Sequence, residues 1–139
     1  VRAIILDNRN RVLLQNRTDC NCWGLPAGAV ELEETALEAI KREVMEETNL
    51  TIHHAEPMGL YSGPTQKFVY SNGDQIQGFA IVFIVRDWTG VPCPDGVEGS
   101  EVRFWPLSHL PESLVKIHAQ TLEDFKNHNG RFFLSNGKK

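Results

Sequence analysis

Apolar and polar positions recur with two different periods along this chain, and the changes of period mark its elements. Residues 1–6 (VRAIIL) and 11–16 (RVLLQN) are apolar runs separated by the turn-rich stretch from Asp7 to Asn10, which predicts a hairpin. Residues 18–34 hold Gly24, Pro26 and Gly28 in quick succession and read as a loop. Over 35–48 the spacing becomes helical. Residues 50–61 and 66–71 read as strands, followed by a turn at Ser71-Asn72-Gly73-Asp74. Residues 76–87 (IQGFAIVFIVRD) give the strongest strand signal and predict a central position in a sheet. Residues 88–100 contain Gly90, Pro92, Pro94, Gly96 and Gly99 and predict a long loop, with a short strand at 101–106 (EVRFWP). Over 114–127, Leu114, Ile117, Leu122 and Phe125 stand close to helical spacing. The tail from Asn129 is weakly patterned, and Lys138-Lys139 is expected to fray. Strands on both sides of a helix, with a second helix near the end, predict an α/β fold: a mixed β-sheet between helices, as one domain over 1–139.

The helix at 35–48 carries the candidate chemistry. Thr35 followed three residues later by Glu38 is a capping box, and Asn49 tolerates the left-handed backbone common just past a helix end. At about 100° per residue, Leu37, Ile40 and Val44 share one stripe, the expected core face. Glu43, Glu46 and Glu47 share a neighbouring stripe, along which the small Ala36 and Ala39 would leave room for an approaching group. Carboxylates at this spacing repel, and Glu46 and Glu47 sit in the last turn, where the helix dipole disfavours negative charge. A divalent cation reverses the sign of each of these effects. The alternative is a solvated acidic face paired by Lys41 and Arg42.

Composition narrows the classes. With 139 residues, 41% of them hydrophobic and 23% charged, the chain can bury a core without staples. A net charge of −4 gives no basic face for a stable nucleic-acid partner. The longest apolar candidate, Phe79 to Val85, is strand-sized, far from the ~20 residues of a membrane span. No secretory signal is visible, and because Val1 is not an initiator Met, upstream residues are left open. Cys20, Cys22 and Cys93 lack common zinc-site spacing and read as free thiols, consistent with a cytoplasmic protein.

The whole pattern runs Gly28, Glu34, Arg42-Glu43-Val44, Glu46-Glu47, Asn49-Leu50. It resembles the Nudix box, the signature of the Nudix hydrolase family. Trp23-Gly24-Leu25-Pro26 before it and Glu101 to Leu107 near the end also fit that family. Two departures stand out: Asn49 and Ala27 occupy positions where the family commonly has Gly. The resemblance implies a Nudix-type α/β/α sandwich and Mg²⁺-dependent hydrolysis of a diphosphate linkage, with Mn²⁺ as a second usable ion. It assigns Glu43, Glu46 and Glu47 to the metal cluster and adds a backbone carbonyl from Ala27 or Gly28. Glu34 would support the cluster, and Arg42 would pair with one of its carboxylates.

The general base is open between a box glutamate and the later Glu98 or Glu101. Arg17 is a candidate phosphate contact or an ordinary surface cation. Trp23, in a loop beside the box, is a candidate stacking partner for the substrate, with Tyr61 another aromatic candidate. Phe79 and Phe83 alternate on one strand face and serve either stacking or the core. Pro64 and Tyr70 match no subfamily marker cleanly. The expected substrate is a nucleoside diphosphate derivative such as ADP-ribose or a nucleotide sugar. The rivals are nucleoside triphosphate pyrophosphohydrolysis, a non-catalytic nucleotide sensor, and an isomerase of diphosphate-bearing lipid precursors, which would need a suitably placed Cys. The family resemblance also allows a homodimer.

Overall fold

The computed structural model describes residues 1–70 and 72–135. Ser71 of the expected turn and Lys138-Lys139 of the expected frayed tail lie outside the described residues. The elements are β1 (Arg2–Ile5), β2 (Val12–Arg17), β3 (Cys22–Gly24), α1 (Ala36–Thr48), β4 (Thr51–Tyr61), a 3₁₀ turn (Pro64–Gln66), β5 (Lys67–Val69), β6 (Gln75–Gln77), β7 (Ala80–Thr89), β8 (Gly99–Trp105), α2 (Lys116–Lys126) and β9 (Phe133–Ser135). Three sheets result, in the orders β1-β7-β4-β9, β3-β2-β8 and β5-β6. The four-stranded sheet is mixed, with β1 parallel to β7, β4 antiparallel to it, and β9 parallel to β4. The apolar β7 is interior, as its unbroken hydrophobic run predicts.

Alternation within the strands builds two cores. In β1, Ala3 and Ile5 join Ile40 and Val44 of α1, while Ile4 and its successor Leu6 join Leu122 of α2. The sheets are therefore covered on both faces by helices, the expected α/β/α arrangement. No helix among the described residues is long and apolar enough to cross a membrane.

The expected hairpin between residues 1–6 and 11–16 does not form. The chain does reverse there, with the Asp7 carboxylate accepting the N–H groups of Arg9 and Arg11. The two runs then meet at a single bridge, Leu6 with Val12, and part. β1 pairs with β7, and β2 pairs with β3 and β8. Both runs are apolar on both faces, so each is buried better inside a layered sheet than in an isolated ribbon. At its other end β1 is bridged by Ala27, with Ala3 N–H donating to the Pro26 carbonyl and Gly28 N–H to that of Val1. The site is built where these two sheets diverge.

Other readings also change. The segment 18–34 is not all loop, since it contains β3. Strand β7 begins at Ala80, so Phe79 falls outside it and is exposed while Phe83 is buried; the two do not share a core face. Leu37 is 41% exposed and leaves the core face to Ile40 and Val44. Ala39 is fully buried and Ala36 packs against the core, so the room expected beside them is filled by the protein itself. Cys20 and Cys22, read as free thiols, are joined in a disulfide, because Asn21 between them adopts a left-handed backbone and brings their Cα atoms to 5.2 Å. Cys93 is free and exposed.

Candidate active site

The glutamate helix is fixed at both ends by the signals in its sequence. Thr35 and Glu38 form the reciprocal capping box, and Asn49 is left-handed at φ 66°. The Asn49 N–H donates to the Met45 carbonyl at 3.0 Å and its side chain to Val91 O at 3.3 Å. With the helix so held, Glu47 points inward and is only 2% exposed. Its Oε1 accepts the Gln15 amide at 2.5 Å and the Ala27 N–H at 3.4 Å. Its Oε2 is buried and has no hydrogen-bond donor among the described residues, while the Glu43 carboxylate lies against the group. Burial first, and then the adjacent Glu43 carboxylate, push the Glu47 carboxyl up to about 9. Both causes favour the neutral form of this group in the metal-free protein.

Glu43 lies against Glu47 on one side and Gly28 on the other. A Cβ on Gly28 would run into the Glu43 carboxylate, so the glycine is what lets that carboxylate lie where it does. Arg42 gathers the remaining charge. Its Nε and Nη2 donate to the two oxygens of Glu34 at 2.7 and 3.0 Å, and Nη1 donates to Glu43 at 2.9 Å. Nη2 also reaches the Ala29 carbonyl at 3.0 Å, tying the loop to the helix. The guanidinium holds Glu34 below the usual carboxylate range. Glu46 points outward, 58% exposed, with its carboxylate 3.4 Å from Arg42. Among the described residues no three His, Cys, Asp or Glu side chains converge on one point. The carboxylates brought together are Glu43 and Glu47, not all three.

Opposite Glu47 lies the loop between β7 and β8. One oxygen of Asp95 accepts the N–H groups of Val97, Glu98 and Gly99 at 2.9–3.0 Å. Thr18 clamps the same loop onto the end of β2, its N–H donating to Glu98 O at 2.9 Å and its hydroxyl to Val97 O at 2.8 Å. The result is a cleft of about 280 Å³ lined by Gln15, Arg17, Ala27, Glu47 and Glu98, among others. Arg17 there is gripped by Asp19 through two hydrogen bonds, at 3.1 and 2.8 Å, and this pairing raises its pKa. A larger hollow of about 330 Å³ at the far end of α2, by Asn127, His128 and Arg131, includes none of the box residues.

Glu101 does not reach this cleft. Gln15, which bonds Glu47, pairs with Val102; Asn16 pairs with Glu101. Strand alternation therefore puts Glu101 on the opposite face of the sheet from Glu47. Trp23 shares Glu101's face and is 8% exposed, edge-on to Trp105. The Arg103 guanidinium lies over both rings, 5.3 Å from the centre of Trp23 and 4.0 Å from that of Trp105. The stacking role expected for Trp23 thus meets a buried ring already in contact with Trp105 and Arg103. Tyr61 is buried too, donating its hydroxyl to Asp124 at 2.6 Å. Phe79 remains an open aromatic at 78% exposure. Sequence reasoning missed Gln15, Thr18 and Asp95. Gln15 was signalled only as a polar interruption of an apolar run, and Asp95 by the turn-forming Pro94-Asp95-Gly96.

Comparison with known proteins places this geometry among relatives. The family model described as NUDIX domain matches residues 1–125. An ADP-ribose pyrophosphatase of Methanocaldococcus jannaschii is 34% identical over 124 residues, covering 87% of this chain and 69% of that protein. An 8-oxo-dGDP phosphatase of Homo sapiens is 43% identical over 120 residues, covering 82% of this chain and 34% of the human protein. The crystal structure of a MutT protein from Methanosarcina mazei Go1 superimposes with a TM-score of 0.70 at 26% identity, covering 91% of this chain and 90% of that one.

Proposed function

This chain belongs to the Nudix hydrolase family and is a pyrophosphohydrolase, and on that premise we propose that it cleaves the diphosphate linkage of a nucleoside diphosphate derivative with the help of Mg²⁺. The observation that carries the reading is the Glu43–Glu47 pair beside Gly28, in which Glu47 is buried, Glu43 is half-buried, and one Glu47 oxygen lacks a hydrogen-bond donor among the described residues. Setting a second carboxylate against a buried one costs stability and so calls for another reason. The donors there are oxygens, which suit a hard divalent cation.

Bound at this place, a divalent cation supplies charge neutralisation for the diphosphate and acidification of the attacking water. Glu47 and Glu43 would hold it. Ala27 is better disposed than Gly28 to add a carbonyl oxygen: it sits in an antiparallel bridge opposite Arg2, where its own N–H and C=O point away from β1, and its N–H meets Glu47. The Gly28 carbonyl instead accepts the Val1 nitrogen at 2.9 Å. Arg42 keeps Glu43 in place while neutralising Glu34. Arg17, at the rim, is the group that meets a phosphate, and Glu98 across the cleft is the candidate base that takes the proton of the attacking water. Phe79 remains available to stack on a base.

The substrate class draws support from two relatives. One is named for ADP-ribose and the other for 8-oxo-dGDP, both of which contain a nucleoside diphosphate. The test is incubation with Mg²⁺ and a panel of ADP-ribose, nucleotide sugars, nucleoside di- and triphosphates and dinucleoside polyphosphates, with products separated by chromatography and a Glu47→Gln protein beside it. Metal-dependent release of a nucleoside monophosphate from a diphosphate derivative, absent in the variant, is expected. Preferential release of pyrophosphate from triphosphates would overturn the substrate reading.

A further inference from the structure

We propose that Gln15 is a positioning residue for the cation site: bonded to Glu47 and seated beside Gly99, it dictates which Glu47 oxygen is left free. The inference rests on the reading of Glu47 as a cation ligand.

Gln15 is 4% exposed, on the face of β2 that also carries the buried Leu13. Packing alone does not explain an amide there. Its Oε1 is buried without a partner, a desolvation cost that an apolar residue of similar size would avoid. Its Nε2 makes one short bond, 2.5 Å, to Glu47 Oε1. Among the described residues the only other donor on that carboxylate is the Ala27 N–H at a long 3.4 Å. Gln15 is therefore the principal group orienting Glu47.

Gly99 lies beside the amide: a Cβ there would stand 2.8 Å from Gln15 Oε1, so the glycine leaves the amide room to fit. The Gly99 N–H is itself held by the Asp95 carboxylate. With Oε1 of Glu47 engaged by Gln15 and Ala27, the unpartnered Oε2 is the oxygen left for a cation. Partners that orient a ligand in this way matter for metal affinity nearly as much as the ligand itself.

The test is Mn²⁺ binding to the full chain, followed by the loss of the free-ion electron paramagnetic resonance signal, for the unsubstituted protein, Gln15→Leu, Gln15→Met and Glu47→Gln. Metal-free thermal melts accompany each, and kcat and KM are measured with Mg²⁺ held fixed. Both Gln15 variants are expected to stay folded without metal, because the hydrogen bond lost from Glu47 is offset by removal of the unpartnered amide oxygen. They should bind Mn²⁺ about 10–100-fold more weakly and lose kcat rather than KM. Parent-like Mn²⁺ binding in Gln15 variants, with binding lost in Glu47→Gln, overturns this inference alone. Equal Mn²⁺ binding by the parent and Glu47→Gln, or no saturable binding by either, overturns the reading of Glu47 and this inference with it. Unfolding of both Gln15 variants overturns the inference as well, because the amide would then be a requirement of the fold.

Discussion

Replacing Gly28 by Ala separates the stability of this fold from its chemistry. Gly28 is not in the left-handed region, so an alanine fits its backbone without strain. Restricting the unfolded chain in this way stabilises by about 0.4–1 kcal/mol. The new Cβ, however, occupies the position of the Glu43 carboxylate, the movable end of a long side chain. That end swings away and forfeits its 2.9 Å pairing with Arg42, a partly exposed ion pair worth at most about 1 kcal/mol. The two effects nearly cancel, and the metal-free melting temperature should move by no more than about 4 °C. Cation binding has no such compensation, because Glu43 and Glu47 no longer face one point. Mn²⁺ affinity of the Gly28→Ala protein should fall by at least about 10–100-fold, with turnover partly recovered at high Mg²⁺. Thermal melts and a Mn²⁺ titration on the same preparations decide it. Undiminished cation affinity would refute the pairing of Glu43 and Glu47 as ligands, and a large loss of metal-free stability would show that the close approach is a need of the fold.

The two late glutamates should separate cleanly: Glu98→Gln is expected to lower kcat by about 10²–10⁴-fold, while Glu101→Gln, on the far face of the sheet, stays within about twofold in steady-state assays. Without metal, Glu47 makes stability depend on pH. Its folded value of about 9 exceeds the ordinary 4.5, so the folded chain binds more protons between these limits and loses stability as pH rises through them. Metal-free melts at rising pH should therefore fall more steeply for the parent than for Glu47→Gln, and parallel slopes would contradict the buried placement. Thr35→Ala removes the helix cap and should cost about 1 kcal/mol in chemical denaturation while leaving kcat unchanged, since the cap touches nothing in the cleft.

The parts of this molecule that were legible in its sequence are those governed by local rules. The capping box at Thr35 and Glu38, the left-handed Asn49 and the interior strand β7 all follow from neighbours in the chain. What was not legible depends on partners far away. The runs at 1–6 and 11–16 have the pattern of a hairpin, and only the competing surface of β7 takes β1 elsewhere. Trp23 lies in a Gly/Pro-rich stretch that reads as open, yet Arg103 and Trp105 arrive from 80 and 82 positions later to cover it. Glu98 and Glu101 are indistinguishable by type, yet Glu98 stays in the loop that lines the cleft while the register of β8 turns Glu101 to the other face of the sheet. Gln15 gained meaning only when Glu47 was found beside it.

The cleft is closed by contacts between distant stretches of chain: Gln15 with Glu47, 32 positions apart, and Thr18 with Val97, 79 positions apart. Helix α1 and its carboxylates can form from local signals, but loops of that length must close before the loop bearing Glu98 faces them. During synthesis, a ribosome-bound chain ending before β8 would carry the acidic helix with no opposing wall. Competence to handle a nucleotide would therefore wait until β8 has emerged, and would be lost when β8 peels away.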